Sequence, residues 1–262
     1  MKPRHFLYAQ QDGIGTLTLN RPERLNALTF DVYAELPLFL RWLDTQTSCR
    51  VLILTGAGKA FCSGGDVEDI IGQLFARDMK GLLDFTRMTV DVVRALRAFR
   101  KPVIGALNGT TCGAGAAIAL ACDFRIASDT AKCAFLFTKV GLSGADMGAC
   151  FLLPRVVGWT KASELLMTGD FVSALEAQRI GLYNEVLPQQ QLLPRVHELA
   201  AKLAKGPQFG LMMTKELLNK ALNFDLETAL EAEAQAQAIC MQHPDFKESY
   251  AAWKEKRDPR FG

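Results

Sequence analysis

The chain of 262 residues has no run of 18 uninterrupted apolar residues, no CxxC pair, and no dense Lys/Arg block before its last ten residues. Each absence excludes a class of function. Without an apolar span a membrane-crossing helix is excluded, and the opening MKPRHFLYAQQDGIGTLTLN lacks the apolar core of a secretory leader, so a cytoplasmic location is expected. Thirty basic residues against 28 acidic ones leave a net charge of +2, which gives nucleic acid little to hold. The seven cysteines, Cys49, Cys62, Cys112, Cys122, Cys133, Cys150 and Cys240, are odd in number and mostly set among apolar neighbours. They read as reduced core thiols of a cytosolic protein, and no metal-ligand spacing is present. Only three histidines occur, His5, His197 and His243, and none lies in a glycine-rich or otherwise chemically marked stretch. No fixed-period repeat or low-complexity linker interrupts the chain.

What the chain does have is apolar content of 49%, enough for a substantial core. Its first half alternates β-rich runs with helical spacing: GTLTL, the helix FDVYAELPLFLRWLD, RVLILTG, a long helical stretch to Arg100, KPVIGALNG, the helix AAIALACD, and FRIAS. Strand-then-helix units in succession predict an α/β fold. A capping box from Ser173 to Glu176 opens the helix SALEAQRIG, which Gly181 ends. After GLYNEVL the strand signals stop, and LLPRVHELAAKLAKG, LMMTKELLNKAL and LETALEAEAQAQAICM are helical by apolar spacing. The expected division is an α/β core over residues 1–188 and a helical region over 189–262.

Two glycine-rich turns carry the chemistry. In AFCSGGDVEDI, Gly64 and Gly65 stand between Phe61 and Asp66; in GTTCGAGAA, Gly113 and Gly115 flank Ala114 at a helix start. Glycine lets a backbone amide approach a ligand closely, and a helix N-terminus favours negative charge. Each turn follows a strand, so the two together suit an oxyanion, although glycines in strand-to-helix turns also serve turn geometry alone. CGAGAA lacks the third glycine of a dinucleotide fingerprint, which disfavours NAD.

The ordered motifs NRPERLNAL, AFCSGGDVED, KPVIGALNGTTCGAGAAIALACDFRIAS, LLPRVVG and QRIGLYNEV resemble the enoyl-CoA hydratase/isomerase (crotonase) superfamily across nearly the whole chain. The resemblance implies a spiral of ββα units followed by a helical C-terminal trimerisation region, and an acyl-CoA thioester as ligand. No separate cofactor is implied, coenzyme A being part of the substrate. The amides of Gly65 and Ala114 would form an oxyanion hole. Coenzyme A would meet Arg24, Leu25 and Ala27, the loops at Gly64, Asp66 and Gly113, and Trp253 and Lys256 of the tail, often supplied by a neighbouring subunit. A homotrimer or a dimer of trimers is the implied assembly.

The chain also departs from the pattern. Family hydratases use two glutamates, and the matching positions are Ala117 and Phe137, neither able to move a proton. One carboxylate remains: Asp146, in GLSGADMGACFLLPR, is the only charged residue between Lys139 and Arg155. An apolar setting raises its pKa toward that of a useful base. Its place resembles that of the catalytic aspartate of dienoyl-CoA isomerases, with one extra residue after Gly141. An Asp before an apolar helix is also an ordinary N-cap. These residues point to proton transfer by Asp146 on an enoyl- or dienoyl-CoA. The alternatives are a non-catalytic acyl-CoA-binding trimer, or a decarboxylase or thioester hydrolase of the same superfamily. Cys62 and Ser63 lack a His–acid partner and are not expected to act as nucleophiles. GQLFARDMKG, bounded by Gly72 and Gly81, is open to reading as a lid or as a surface helix pair.

Overall fold

The computed structural model describes residues 1–262. In chain order it runs β1 (Leu7–Gln11), β2 (Ile14–Leu19), α1 (Phe30–Thr45), β3 (Val51–Gly56), β4 (Ala60–Cys62), α2 (Gly72–Leu74), α3 (Met79–Ala98), β5 (Val103–Leu107), β6 (Thr110–Cys112) and α4 (Ala114–Ala121). It continues with β7 (Phe124–Ser128), β8 (Lys132–Ala134), α5 (Ala149–Val157), α6 (Trp159–Thr168), β9 (Val172–Ser173), α7 (Ala174–Arg179) and β10 (Glu185–Leu187). Four helices finish the chain: α8 (Gln189–Ala204), α9 (Gln208–Ala221), α10 (Leu226–Gln242) and α11 (Pro244–Glu255). The α/β architecture and the helical end match the expectation, including the Ser173 hydroxyl that accepts the Glu176 amide at 3.2 Å.

The strands form two sheets. The larger has the order β1-β2-β3-β5-β7-β10. Its first pair is an antiparallel hairpin turning at Asp12 and Gly13, and every later pair is parallel. β3 and β5 are buried along their whole length, as parallel strands covered on both faces must be. One face meets the main core, to which Leu52 and Leu54 contribute along with Phe39, Phe61 and Leu96. The other face presents Val51, Ile53, Ile104, Ala106 and Ile126, and Leu192, Val196, Ala200 and Ala204 of α8 cover it. That four-residue spacing is a single helical stripe. The first helix beyond Pro188 is therefore a layer of the α/β core, because the outer side of β3 and β5 would otherwise lie in water.

The smaller sheet, ordered β4-β6-β8-β9, has strands of two or three residues, too short to show a period in sequence. It positions the glycine turns. Beyond α8 the helices bury little within the chain: Lys215, Ala236, Asp245 and Ala252 are their only buried residues. Lys215 anchors α9 by donating to the Asp123 carboxylate at 2.7 Å and to the Lys101 carbonyl at 3.0 Å. Leu218, Leu230, Ile239, Phe246 and Trp253 remain exposed along α9–α11. No helix is long and apolar enough to cross a membrane.

Candidate active site

β4 and β6 are parallel neighbours, with Ala60 opposite Thr110 and Cys62 opposite Thr111. The turns leaving their C-terminal ends therefore emerge side by side. Gly64 has φ +104° and Gly113 has φ +54° with ψ −124°, conformations that exclude ordinary side chains. The two backbones also touch: a Cβ on Gly64 would stand 3.2 Å from the Cys112 carbonyl oxygen and 3.6 Å from the Ala114 nitrogen. Neither the Gly65 amide nor the Ala114 amide donates a hydrogen bond within the chain. Ala114 opens α4, so its N–H is one of the free first-turn donors on which the positive end of the helix dipole is centred. Two unpaired amides on abutting turns can hold an oxygen that gains negative charge. Gly64→Ala is expected to cost about 1–3 kcal/mol of stability through backbone strain, read as a fall of several degrees in the thermal unfolding midpoint.

A third segment braces the first turn. Leu25 and Asn26 are left-handed, at φ 51° and 58°. The Leu25 carbonyl accepts from the Ser63 amide at 3.0 Å, the Gly64 carbonyl from Leu28 at 2.8 Å, and the Leu28 carbonyl from Asp66 at 2.9 Å. Inside this ladder the Asn26 side chain donates to the carbonyls of Ala57 and Ala60. The Asp66 carboxylate accepts from the amides of Glu68 and Asp69 and from Arg21, whose guanidinium also donates to the Ala27 carbonyl. The Asp69 amide and then Arg21 hold the Asp66 carboxyl below its ordinary value, so it is an anion with its partners already in the chain. Arg24 is half exposed and pairs with Glu68 at 2.5 Å. Arg24 is thus exposed and Leu25 half-buried on this segment, while Ala27, Gly64 and Asp66 are buried within the ladder.

Asp146 is half-buried, and burial pushes its carboxyl above the usual value, against the Met147 amide that donates to it at 2.8 Å. The N-cap expectation is corrected here. α5 begins at Ala149, its N-cap is Gly148, and no side chain caps it. The reason is local: Met147 and Gly148 are both left-handed, at φ 47° and 79°, and the turn they make aims Asp146 at its own neighbour's amide rather than at the first turn of α5. Ala117 lies on α4, which has no ionisable side chain, and Phe137 is buried in the short helical turn Leu136–Val140.

Cys62 is fully buried, and burial pushes its thiol up to about 12, which leaves it inert as a nucleophile. Treatment with a thiol-alkylating reagent at neutral pH should therefore modify the exposed Cys150 first and leave Cys62 unmodified in the folded protein, as peptide mass mapping would record. The 72–81 segment carries exposed Phe75 and Met79, and Arg77 stacks on the Phe30 ring at 4.6 Å. Trp253 and Lys256 lie at the exposed end of α11, which packs on α10. One residue escaped the sequence reading. The hydroxyl of Tyr33, on α1, stands 3.7 Å from where a Cβ of Gly65 would be, beside Ile70. Its only sequence signal is a phenol on a buried, otherwise apolar helix face with Val32, Leu36, Phe39 and Leu40.

Comparison with known proteins gives the family. Residues 9–262 match the family model described as Enoyl-CoA hydratase/isomerase. The 1,2-epoxyphenylacetyl-CoA isomerase of Escherichia coli is 38% identical over 96% of this chain and 95% of its own length. The crotonyl-CoA hydratase of Syntrophomonas wolfei is 34% identical over 100% and 99% of the two chains. A crystal structure from Streptomyces coelicolor A3(2) superimposes with a TM-score of 0.96 at 49% identity, covering 99% of this chain and 94% of that one.

Proposed function

Since the chain belongs to the enoyl-CoA hydratase/isomerase family, we propose that it is an acyl-CoA enzyme that shifts a double bond in an enoyl- or dienoyl-CoA by proton transfer through Asp146. What supports this reading is that the chain carries two unpartnered amides on abutting turns and one raised carboxyl, Asp146, while Ala117 and Phe137 offer no second acid or base. The ionised Asp146 removes a proton from a carbon conjugated with the thioester. The electron pair moves onto the thioester oxygen, where the amides of Gly65 and Ala114 receive the charge. The same carboxyl, now protonated, returns the proton at the other end of the conjugated system. A single group that gives back what it takes performs isomerisation and adds no water. The Escherichia coli relative, named an isomerase, supports that direction.

The coenzyme A portion would lie along Arg24, Leu25, Ala27 and Asp66, with Gly64 and Gly113 allowing its thioester end to approach. Trp253 and Lys256 would reach it only from a neighbouring subunit. The exposed apolar residues of α9–α11 suit burial in a trimer or a pair of trimers.

The test is to mix the purified protein with a panel of enoyl-CoA and conjugated dienoyl-CoA esters and follow the ultraviolet absorbance of the conjugated thioester. Migration of the double bond, with no gain of water by mass spectrometry, is the expected result. Rapid hydration of simple 2-enoyl-CoA would overturn the reading.

A further inference from the structure

Tyr33 is 3% exposed, yet its hydroxyl makes no hydrogen bond within the chain. Its oxygen also differs from that of Tyr183, which is sealed in the interior without a partner, in that it is not fully sealed and stands 3.7 Å from the Cβ position of Gly65. A buried polar group without a partner carries a desolvation cost, and a group facing a binding site recovers that cost from the ligand. The ring is held by an edge-to-face contact with Phe85, at 6.1 Å and 87°, and Phe85 packs in the same way against Phe30. This clamp leaves the hydroxyl little freedom to swing away from Gly65.

We infer that Tyr33 is a third hydrogen-bond donor of the site, its phenol donating to the thioester oxygen that Gly65 and Ala114 hold as that oxygen takes up enolate charge. The inference rests on the thioester-enolate reading above. Burial, and then the neighbouring Cys62 and Asp146, push the phenol well above its ordinary value, so it stays protonated and able to donate throughout the working range. A buried neutral donor is matched to an anion that appears only during reaction, since it binds the charged state more strongly than the uncharged one.

The experiment measures enolate formation without turnover. A 3-ketoacyl-CoA ionises readily, and its enolate absorbs in the near ultraviolet, so the bound enolate fraction at fixed pH reports directly on the donors around the oxygen. Wild-type protein and Tyr33→Phe are compared with this ligand and with a saturated acyl-CoA that has no accessible enolate. The expected result is a fall of about tenfold or more in the enolate-to-ketone ratio for Tyr33→Phe, with saturated acyl-CoA affinity unchanged within about twofold and the thermal midpoint unchanged. An unchanged enolate ratio, or equal weakening of both ligands, overturns the assignment of Tyr33. Absence of bound enolate in the wild type removes the thioester-enolate reading itself, so the two failures are distinguishable.

Discussion

Asp146→Asn is expected to lower kcat for double-bond migration by about 10²- to 10⁴-fold, the usual contribution of one positioned acid–base group, while the affinity for a saturated acyl-CoA stays unchanged. The amide keeps the shape and the Met147 contact but cannot take a proton. Stability gives an independent check, with its sign fixed by the direction of the shift. A carboxyl whose folded pKa is raised adds stability only at low pH, and that contribution is lost as pH rises through the folded value. At neutral pH the wild-type anion is therefore a burden on the fold, and Asp146→Asn should unfold at the same temperature or higher. The acid limb of kcat/KM should likewise lie above the ordinary carboxylate range, since Asp146 acts as base only once ionised. A variant that kept full turnover would exclude Asp146 from the chemistry; one that lost turnover along with its thermal stability would have failed for structural reasons.

Ala114→Pro is the second large effect, an expected loss of about two to three decades in kcat. Backbone donors escape most mutagenesis, but this one sits at the first position of α4, where proline is well accommodated. The preceding Gly113, at φ +54° and ψ −124°, holds the mirror image of the extended conformation that residues before proline adopt, which an achiral residue accepts. The substitution removes one N–H and sets the ring where the oxygen would bind, while α4 keeps its hydrogen bonds. Circular dichroism and the thermal midpoint should match the wild type as turnover disappears, and Ala114→Gly, which keeps the N–H, should retain most of the activity.

The parts of this molecule visible in sequence are those with a period or a local rule. The alternation of β2, the apolar run of β3 and the box at Ser173 are read within a few residues of themselves. The turns at Gly64 and Gly113 are legible for a related reason: positive φ is written as glycine. Asp146 stands out by its isolation among uncharged neighbours. Its cap assignment failed because the left-handed turn at Met147 carries no glycine at that residue to announce it. Leu25 and Asn26 hide their positive φ in the same way, and the ladder they build with residues 63–66 joins segments about 40 residues apart, beyond any local rule. Tyr33 was invisible because α1 and the first turn meet only in the folded chain. A helical period marks its face as buried and says nothing of what lies opposite.

The covering of the large sheet by α8 bears on how the protein is made. By the time β7 ends at Ser128, the strand face of Val51, Ile53, Ile104, Ala106 and Ile126 is complete, but its cover ends only at Ala204. During synthesis some 75 residues must follow before that apolar face is shielded, at roughly 5–20 residues per second. For those seconds the nascent chain displays an adhesive stripe, a natural site for a chaperone to hold. A chain ended at Pro188 would keep both glycine turns and Asp146 and still be expected to aggregate.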